Sequence, residues 1–391
     1  MRKHRIWYGA VLCTALFIYI MANQRAALVL LGCLILAPVF SGILQWNGMR
    51  GIEVKWTIRG SCHKNQEAPI NFQIRRQNRI PMGAVKADII FKNILYGQTR
   101  KKQVILQPVE KQTMKFTYPV RMIHCGNVQV KVPDLCFYDV LGLFCWKVKL
   151  DKYEEVLVYP EQIKLNLQLD RKPETKNFGE LYDQRKRGND VNDVADLRDY
   201  TEGDPLGSIH WKLSGKMDHL IVREFGNPSD YSTLILYDMM KNQGGRSNEN
   251  ENNDVVLAVT SSLSESMVER GLEHQVARVV SGEYQETPVY SHQTQEQMVI
   301  NMLCRPIATE KNDSETLYYL LRSNISNRYT KVIYITPSYN EMMVDQLAKE
   351  VNLTVIWVTE EKETGYVETH DYTIIPIEVE QYQEKMRSIV I

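Results

Sequence analysis

Two long apolar runs open the chain. Residues 6–22 are apolar, aromatic or small except for Thr14, and residues 26–44 except for Ser41. Each approaches the roughly 20 residues that carry a helix across a hydrocarbon core. Only Asn23, Gln24 and Arg25 separate them, so the pattern predicts a tight helical hairpin over residues 1–48, with backbone groups satisfied inside each helix. Arg2, Lys3 and Arg5 precede the first run, Arg50, Lys55 and Arg59 follow the second, and the turn holds Arg25 alone. Because basic residues stay on the cytoplasmic side, both ends of the hairpin, and the soluble region after it, are expected to face the cytoplasm from a cell membrane. Trp7 and Trp46 fit interfacial positions. A cleaved signal peptide is the rival reading of the basic start, but a second apolar run follows at once and no small-x-small site stands before it.

The period then shortens. Strand-like stretches fall at 52–58, 70–75, 85–91, 103–106, 114–120, 128–132 and 144–150, with apolar and polar residues alternating at 71–75 and 128–132. Strands this closely spaced, with no helical pattern among them, predict an immunoglobulin-like β-sandwich over residues 51–160. Residues 161–230 read as a connector, charge-rich at its start and including Arg185-Lys186-Arg187, a basic triplet of the kind that is more often a solvated face than a binding patch.

After residue 230 strands and helices alternate: strands at 233–237, 275–280, 331–336, 353–358 and 372–377, helical stretches at 254–270, 295–303, 314–321 and 339–351. This alternation predicts an α/β domain over 231–391, a mostly parallel sheet covered on both faces. Such sheets place ligands beyond the carboxyl ends of their strands. There the polar run 242–253, which has no apolar residue to bury, reads as a mobile loop.

Charge and cysteine usage narrow the function. Lys and Arg number 47 and Asp and Glu 47, a balance that offers nucleic acid no overall field. The seven cysteines are odd in number and form no Cys-x-x-Cys pair, so neither a disulfide framework nor a zinc set is visible. Cys125, Cys136 and Cys145 sit among apolar residues, where thiols pack as small hydrophobes. No Gly-x-x-x-x-Gly-Lys-Ser/Thr loop and no Gly-x-Gly-x-x-Gly turn is present, which argues against a bound nucleotide.

The most distinctive segment runs Asp196-Leu197-Arg198-Asp199-Tyr200-Thr201-Glu202-Gly203-Asp204-Pro205-Leu206, then Ile209-His210-Trp211-Lys212-Leu213-Ser214-Gly215-Lys216, then Leu220-Ile221-Val222-Arg223-Glu224. It resembles the signature of the bacterial membrane-anchored family catalogued as domain of unknown function fifty-eight: Arg-x-Tyr-x-x-Gly-Asp, Ile-x-Trp-Lys, a small pair with a base, and Leu-x-Val-Arg-Glu. Cys125-Gly126, residues 138–144 and Val156-Leu157-Val158-Tyr159-Pro160 extend the likeness. The resemblance implies a C-terminal domain like von Willebrand factor type A. It also implies a MoxR-type AAA+ ATPase and a transglutaminase-like membrane protein as partners. The residues that carry it are Arg198, Tyr200, Gly203, Asp204, Ile209, Trp211, Lys212, Lys216, Arg223 and Glu224. Gly207 and Ser208 stand where many members have arginines, and His210 where an acid is usual. Asp238 is followed by Met239-Met240-Lys241-Asn242, so the two serines of an Asp-x-Ser-x-Ser metal site are missing.

Glu202-Gly203-Asp204-Pro205 is turn chemistry. Arg198, Lys212 and Arg223 can pair with Asp199, Asp204 and Glu224 and hold the segment in place without doing chemistry. Asp190, Asp193, Asp196 and Asp199 lack the ligand order of a calcium loop. Asp238 alone offers magnesium a single carboxylate. The expectation is a non-enzymatic, bilayer-anchored interaction protein with no cofactor and no catalytic residues. The alternative is a metal-assisted hydrolase in which Asp238, Asp204 and His210 converge; a scaffold of cell-envelope assembly is a third.

Overall fold

The computed structural model describes residues 2–22, 25–78, 80–107, 113–150, 152–165, 194–199, 209–217, 219–225, 233–240, 247–280, 283–307, 315–322, 328–338, 340–360, 367–369 and 371–387. The chain forms two compact units, one of residues 1–161 with 300–306 and one of residues 162–299 with 307–391.

The first unit starts with α1 (Arg2–Ala22) and α2 (Arg25–Met49), both long and apolar enough to cross a membrane. Their large apolar side chains, among them Trp7, Phe17, Leu36 and Phe40, are exposed. Pro38 lies inside α2 and has no N–H to give the carbonyl four residues earlier. The Tyr8 hydroxyl of α1 donates to that carbonyl, Leu34 O, at 2.5 Å. A backbone acceptor that proline leaves open is thus satisfied from the neighbouring helix, as an apolar setting requires.

Among the described residues ten strands follow: β1 (Glu53–Ile58), β2 (Ser61–His63), β3 (Ile70–Arg75), β4 (Val85–Asn93), β5 (Thr99–Leu106), β6 (Thr113–Tyr118), β7 (Gly126–Lys131), β8 (Asp134–Tyr138), β9 (Cys145–Lys149) and β10 (Tyr153–Tyr159). They build a sheet ordered β1-β3-β6 and a second ordered β2-β10-β7-β4-β8-β9, with β5 on β4. Alternate residues of both sheets, including Phe72, Ile74, Ile89, Val130, Phe137 and Val158, share one buried core, as the period of two dictates. The seven expected strands are all present, and β2, β8 and β10 are additional. Recognition of β8 matters for the cysteines. Its antiparallel pairing with β9 brings Cys136 and Cys145 to a Cα–Cα distance of 5.8 Å, and they are joined as a disulfide. This corrects the expectation that both serve as free core thiols.

The second unit contains a two-stranded sheet, β11 (Val194–Asp199) with β12 (Ile221–Phe225), and between them α3 (Trp211–Met217). Then come β13 (Thr233–Tyr237), α4 (Ser247–Glu269), β14 (His274–Val280), β15 (Glu283–Val289), α5 (His292–Cys304), α6 (Glu315–Arg322), β16 (Lys331–Thr336), α7 (Glu341–Ala348), β17 (Asn352–Thr359), β18 (Val367–Glu368), β19 (Tyr372–Glu378) and α8 (Tyr382–Arg387). The sheet order is β15-β14-β13-β16-β17-β19-β18, parallel through its centre with β15 and β18 antiparallel at the edges. Leu234, Leu236, Val332, Tyr334 and Leu353 point to a face covered by Leu317 and Leu320 of α6 and Val344 and Leu347 of α7. Alternate residues such as Ile235, Ile333 and Ile335 are also buried, and α4 lies against β13, β16 and β17. The mixed α/β body agrees with the alternation in the sequence; β15, half-exposed and carrying Pro288, has no apolar pattern to announce it.

One expectation is overturned. Residues 247–253 of the polar run are the first two turns of α4, and Asn250, Asn252, Asn253 and Asp254 are buried; residues 242–246 lie outside the described residues. The reason is hydrogen bonding rather than apolar burial. Asn253 Oδ1 accepts from Met240 N at 2.7 Å, and its Nδ2 donates to Met240 O at 2.8 Å. The amide satisfies a donor and an acceptor of the chain leaving β13, so burying it leaves neither group short of a partner.

Candidate functional site

Strand order reverses between β13 and β16: the chain runs from β13 to β14 on one side and later returns to β16 on the other. The crevice beyond the carboxyl ends of these strands is where open α/β sheets hold ligands. Asp238, one residue past β13, stands there, its N–H bonded to Ile335 O of β16 at 2.9 Å. Both of its carboxylate oxygens are engaged. Thr316 Oγ1 of α6 donates to Oδ1 at 2.5 Å and the Tyr334 hydroxyl of β16 donates to Oδ2 at 2.7 Å. Asp238 thus ties β13, β16 and α6 together.

The other face of the crevice is the buried start of α4. Asn252 Nδ2 reaches Glu360 Oε1 at the end of β17, 3.4 Å away. Arg278 of β14 is buried with its guanidinium 5.8 Å from the centre of the Tyr237 ring and 3.7 Å from Met239 Sδ. Among the described residues no three His, Cys, Asp or Glu side chains gather as metal ligands. At Asp238 a magnesium ion would find one carboxylate already bonded to two hydroxyls, which leaves most of an octahedral shell unfilled. The residues present do not fit that ion.

The signature segment pairs within itself in the second unit. β11 and β12 set Leu197 opposite Arg223 and Asp196 opposite Glu224, so two halves of the motif, distant in sequence, are cross-strand neighbours. Ile209 bridges to Val222, and Ile209, Ile221 and Val222 are buried. Ser214 of α3 accepts from Ile221 N at 2.9 Å, and His210 N donates to Ile221 O at 2.8 Å. The His210 ring caps α3: its Nδ1 accepts from Leu213 N at 3.2 Å, one of the donors a helix start leaves open. Lys216, in the last turn of α3, is exposed. Tyr200, Gly203 and Asp204, and the side chains of Arg198, Trp211, Lys212, Arg223 and Glu224, lie outside the described residues, as do the expected ion pairs of this segment. Asp196 and Asp199 both lie on β11; their side chains lie outside the described residues.

The sequence reading passed over several of these groups. Thr316, Tyr334 and Asn253 match no motif, and only the fold brings them, and Ser214 of the signature, to their partners. The same holds for a buried pair in which Ser264 Oγ of α4 lies 2.7 Å from His274 Nε2 while His274 Nδ1 lies 3.1 Å from Leu272 O. With the ring N–H given to the carbonyl, Nε2 accepts from the hydroxyl, and the pair bolts α4 to the start of β14. Burial pushes the His274 imidazole down from its ordinary value, partly offset by the Leu272 carbonyl. A histidine whose folded pKa is depressed stabilises the fold fully above its unfolded pKa of about 6.5 and loses that contribution as pH falls below it. The unfolding midpoint of the α/β unit is therefore expected to drop between about pH 7 and pH 5, and less steeply in His274→Gln. Parallel pH profiles for the two proteins would remove His274 from that role.

A separate groove of about 360 Å³ lies on the sandwich, with Phe91, Met122 and Val128 as its apolar floor and Arg100, Lys101 and Arg121 among its rim residues. Arg100 and Lys101 are on β5, which pairs only with β4 among the described strands. Basic side chains on such an edge discourage pairing with another chain.

A family model, described as protein of unknown function DUF58, matches residues 196–371, from the first residue of the signature to the start of β19. No curated protein matches the chain. Among solved structures, a CARDB domain from Pyrococcus furiosus is 15% identical, with 27% of this chain and 86% of that chain covered and a TM-score of 0.18. A beta-glucosidase from Listeria innocua is 11% identical over 27% of this chain and 16% of its own, with a TM-score of 0.18. A superoxide reductase (neelaredoxin) from Ignicoccus hospitalis is 13% identical over 26% and 79%, with a TM-score of 0.17.

Proposed function

We propose that the chain is a membrane-anchored, non-enzymatic assembly protein. The helical hairpin holds it in a cell membrane with both ends on the cytoplasmic side, an immunoglobulin-like sandwich binds or spaces rather than catalyses, and a domain like von Willebrand factor type A docks a cytoplasmic partner. The observation that carries the non-enzymatic reading is Asp238. At the position where an open sheet would present a reactive carboxylate, both oxygens accept from protein hydroxyls, so the group braces the strand ends. The exposed apolar faces of α1 and α2 and the basic residues flanking them support the anchor and its orientation. The DUF58 match over residues 196–371 supports the family resemblance, and the partners proposed, a MoxR-type AAA+ ATPase and a transglutaminase-like membrane protein, are those that this resemblance implies.

Affinity capture of the full chain from native membranes, solubilised in mild detergent, tests this. Recovery of an AAA+ ATPase, lost on charge reversal at the exposed Lys216, is the expected result. Capture that yields neither an ATPase nor another membrane protein would remove the basis for the docking role.

A further inference from the structure

The turn between β8 and β9 docks on the helical hairpin, and its Val140, Leu141 and Phe144 side chains are exposed. Asp139 is fully buried and organises the turn: Oδ1 accepts from Phe144 N at 2.8 Å and the main-chain O accepts from Gly142 N at 2.9 Å. Gly142, at φ +70°, supplies the left-handed residue that closes it. Two bonds fix the turn to the helices, Ser41 Oγ to Asp139 Oδ2 at 2.7 Å and Arg5 Nε to Leu143 O at 2.9 Å. Gly42 lies beside the Phe144 ring, where a Cβ would be in ordinary van der Waals contact with it at 3.7 Å.

These contacts also set a level along the helices. Arg5 is at the start of α1, and Ser41 lies about 12 Å before the end of α2 at the rise of an α-helix. Beyond Ser41, Gln45 is buried and Gly48 abuts Ile80 of the sandwich, so the last two turns of α2 belong to the soluble unit. The apolar run of α2 ends at Leu44, within one turn of the docking contact at Ser41. At this level Val140 is 61% exposed and Phe144 42%, with Leu141 exposed between them. Trp146 meets Phe144 edge-on at 6.0 Å, and Lys147 and Lys149 follow on β9. Apolar tips backed by an aromatic residue and basic residues are the composition of a membrane–water interface.

We propose that the β8–β9 turn is a third membrane-contacting element, inserting Val140, Leu141 and Phe144 into the headgroup layer beside α1 and α2 and so fixing the sandwich against the bilayer. The inference rests on the anchored reading of the hairpin. Its partner is the lipid surface, because the patch is continuous with the apolar faces of two spanning helices and lies at the depth where they leave the lipid.

Photocrosslinking tests it on the full chain, reconstituted in vesicles of phosphatidylethanolamine and phosphatidylglycerol. A benzophenone amino acid is placed separately at Val140, at Phe17 of α1, and at Tyr153, which is 61% exposed at the opposite end of the β8–β9 hairpin. Lipid adducts read by mass spectrometry are expected at Val140 and Phe17, several-fold above the yield at Tyr153. Adducts at Phe17 but none at Val140 above the Tyr153 level would overturn the insertion and leave the anchor standing. Their absence at all three positions would overturn both.

Discussion

Asp238→Ala is expected to lower the stability of the α/β unit by about 3 kcal/mol, a large share of what a domain possesses. The carboxylate accepts from Thr316 and Tyr334, and both of those side chains are buried. A hydrogen bond to a charged group contributes roughly 1.5–3 kcal/mol, and the two bonds share one acceptor, so their losses do not add in full. Tyr334→Phe removes one of them and is expected to cost about 1–2 kcal/mol; the double variant should be less destabilised than the sum. The measurement is urea unfolding of the full chain in detergent, with hydrogen exchange at the amides of β13 and β16 locating the loss. A change below about 0.5 kcal/mol, the range of ordinary surface substitutions, would mean that Asp238 does not brace the switch point and that its carboxylate is held for another purpose.

The bracing role could not be read from the chain, and the reason lies in what sequence patterns record. Periodicity reports which way an apolar residue faces. It placed β3, β13 and β16 to the residue, because each is a short run with a buried face or is buried on both. Both membrane-length helices were legible instead from unbroken apolar length. Hydrogen bonds between residues such as Asp238 and Tyr334, 96 positions apart, leave no period behind. The start of α4 shows the consequence most directly: seven polar residues in a row look unburiable until Met240 is seen to offer Asn253 a matching donor and acceptor. Polar side chains recur deeper in the same helix, where Thr260 and Ser261 are buried by donating to Val256 O and Ala258 O, a local bond that a hydropathy pattern does not register.

The disulfide was missed one level higher. Cys136 and Cys145 could be paired only by someone who had recognised the β8–β9 hairpin, and the run 134–138 does not alternate because four of its five residues are buried. The signature segment was the opposite case. Its residue types and spacing stood out without any fold, but the proximity of Leu197 to Arg223 and the capping of α3 by His210 required β11 and β12 to be paired.

Gly83→Ala is expected to be the most damaging single methyl group in the sandwich. Gly83 lies beside the chain leaving β8, its N–H bonded to Tyr138 O at 2.9 Å, and a Cβ there would fall 2.2 Å from Asp139 O and 2.9 Å from Asp139 C. Both are backbone atoms, so no side chain can rotate away and the main chain itself must shift. Asp139 is also the residue that holds the β8–β9 turn and accepts from Ser41 of α2, so the displacement is transmitted to the contact between sandwich and hairpin. Overpacking of this kind costs roughly 1–3 kcal/mol when neighbours can yield, and about 3 kcal/mol or more is expected here because they cannot. Gly60→Ala provides the comparison: a Cβ at that position meets nothing within 4 Å, and a change within about 0.5 kcal/mol is expected. Hydrogen exchange of the full chain should show faster opening at the amides of β8 and β9 in the Gly83 variant alone. Equal exchange in the two variants would mean that the turn is not held against α2 through Asp139, and the insertion of Val140 and Phe144 into the headgroup layer would lose its fixed support.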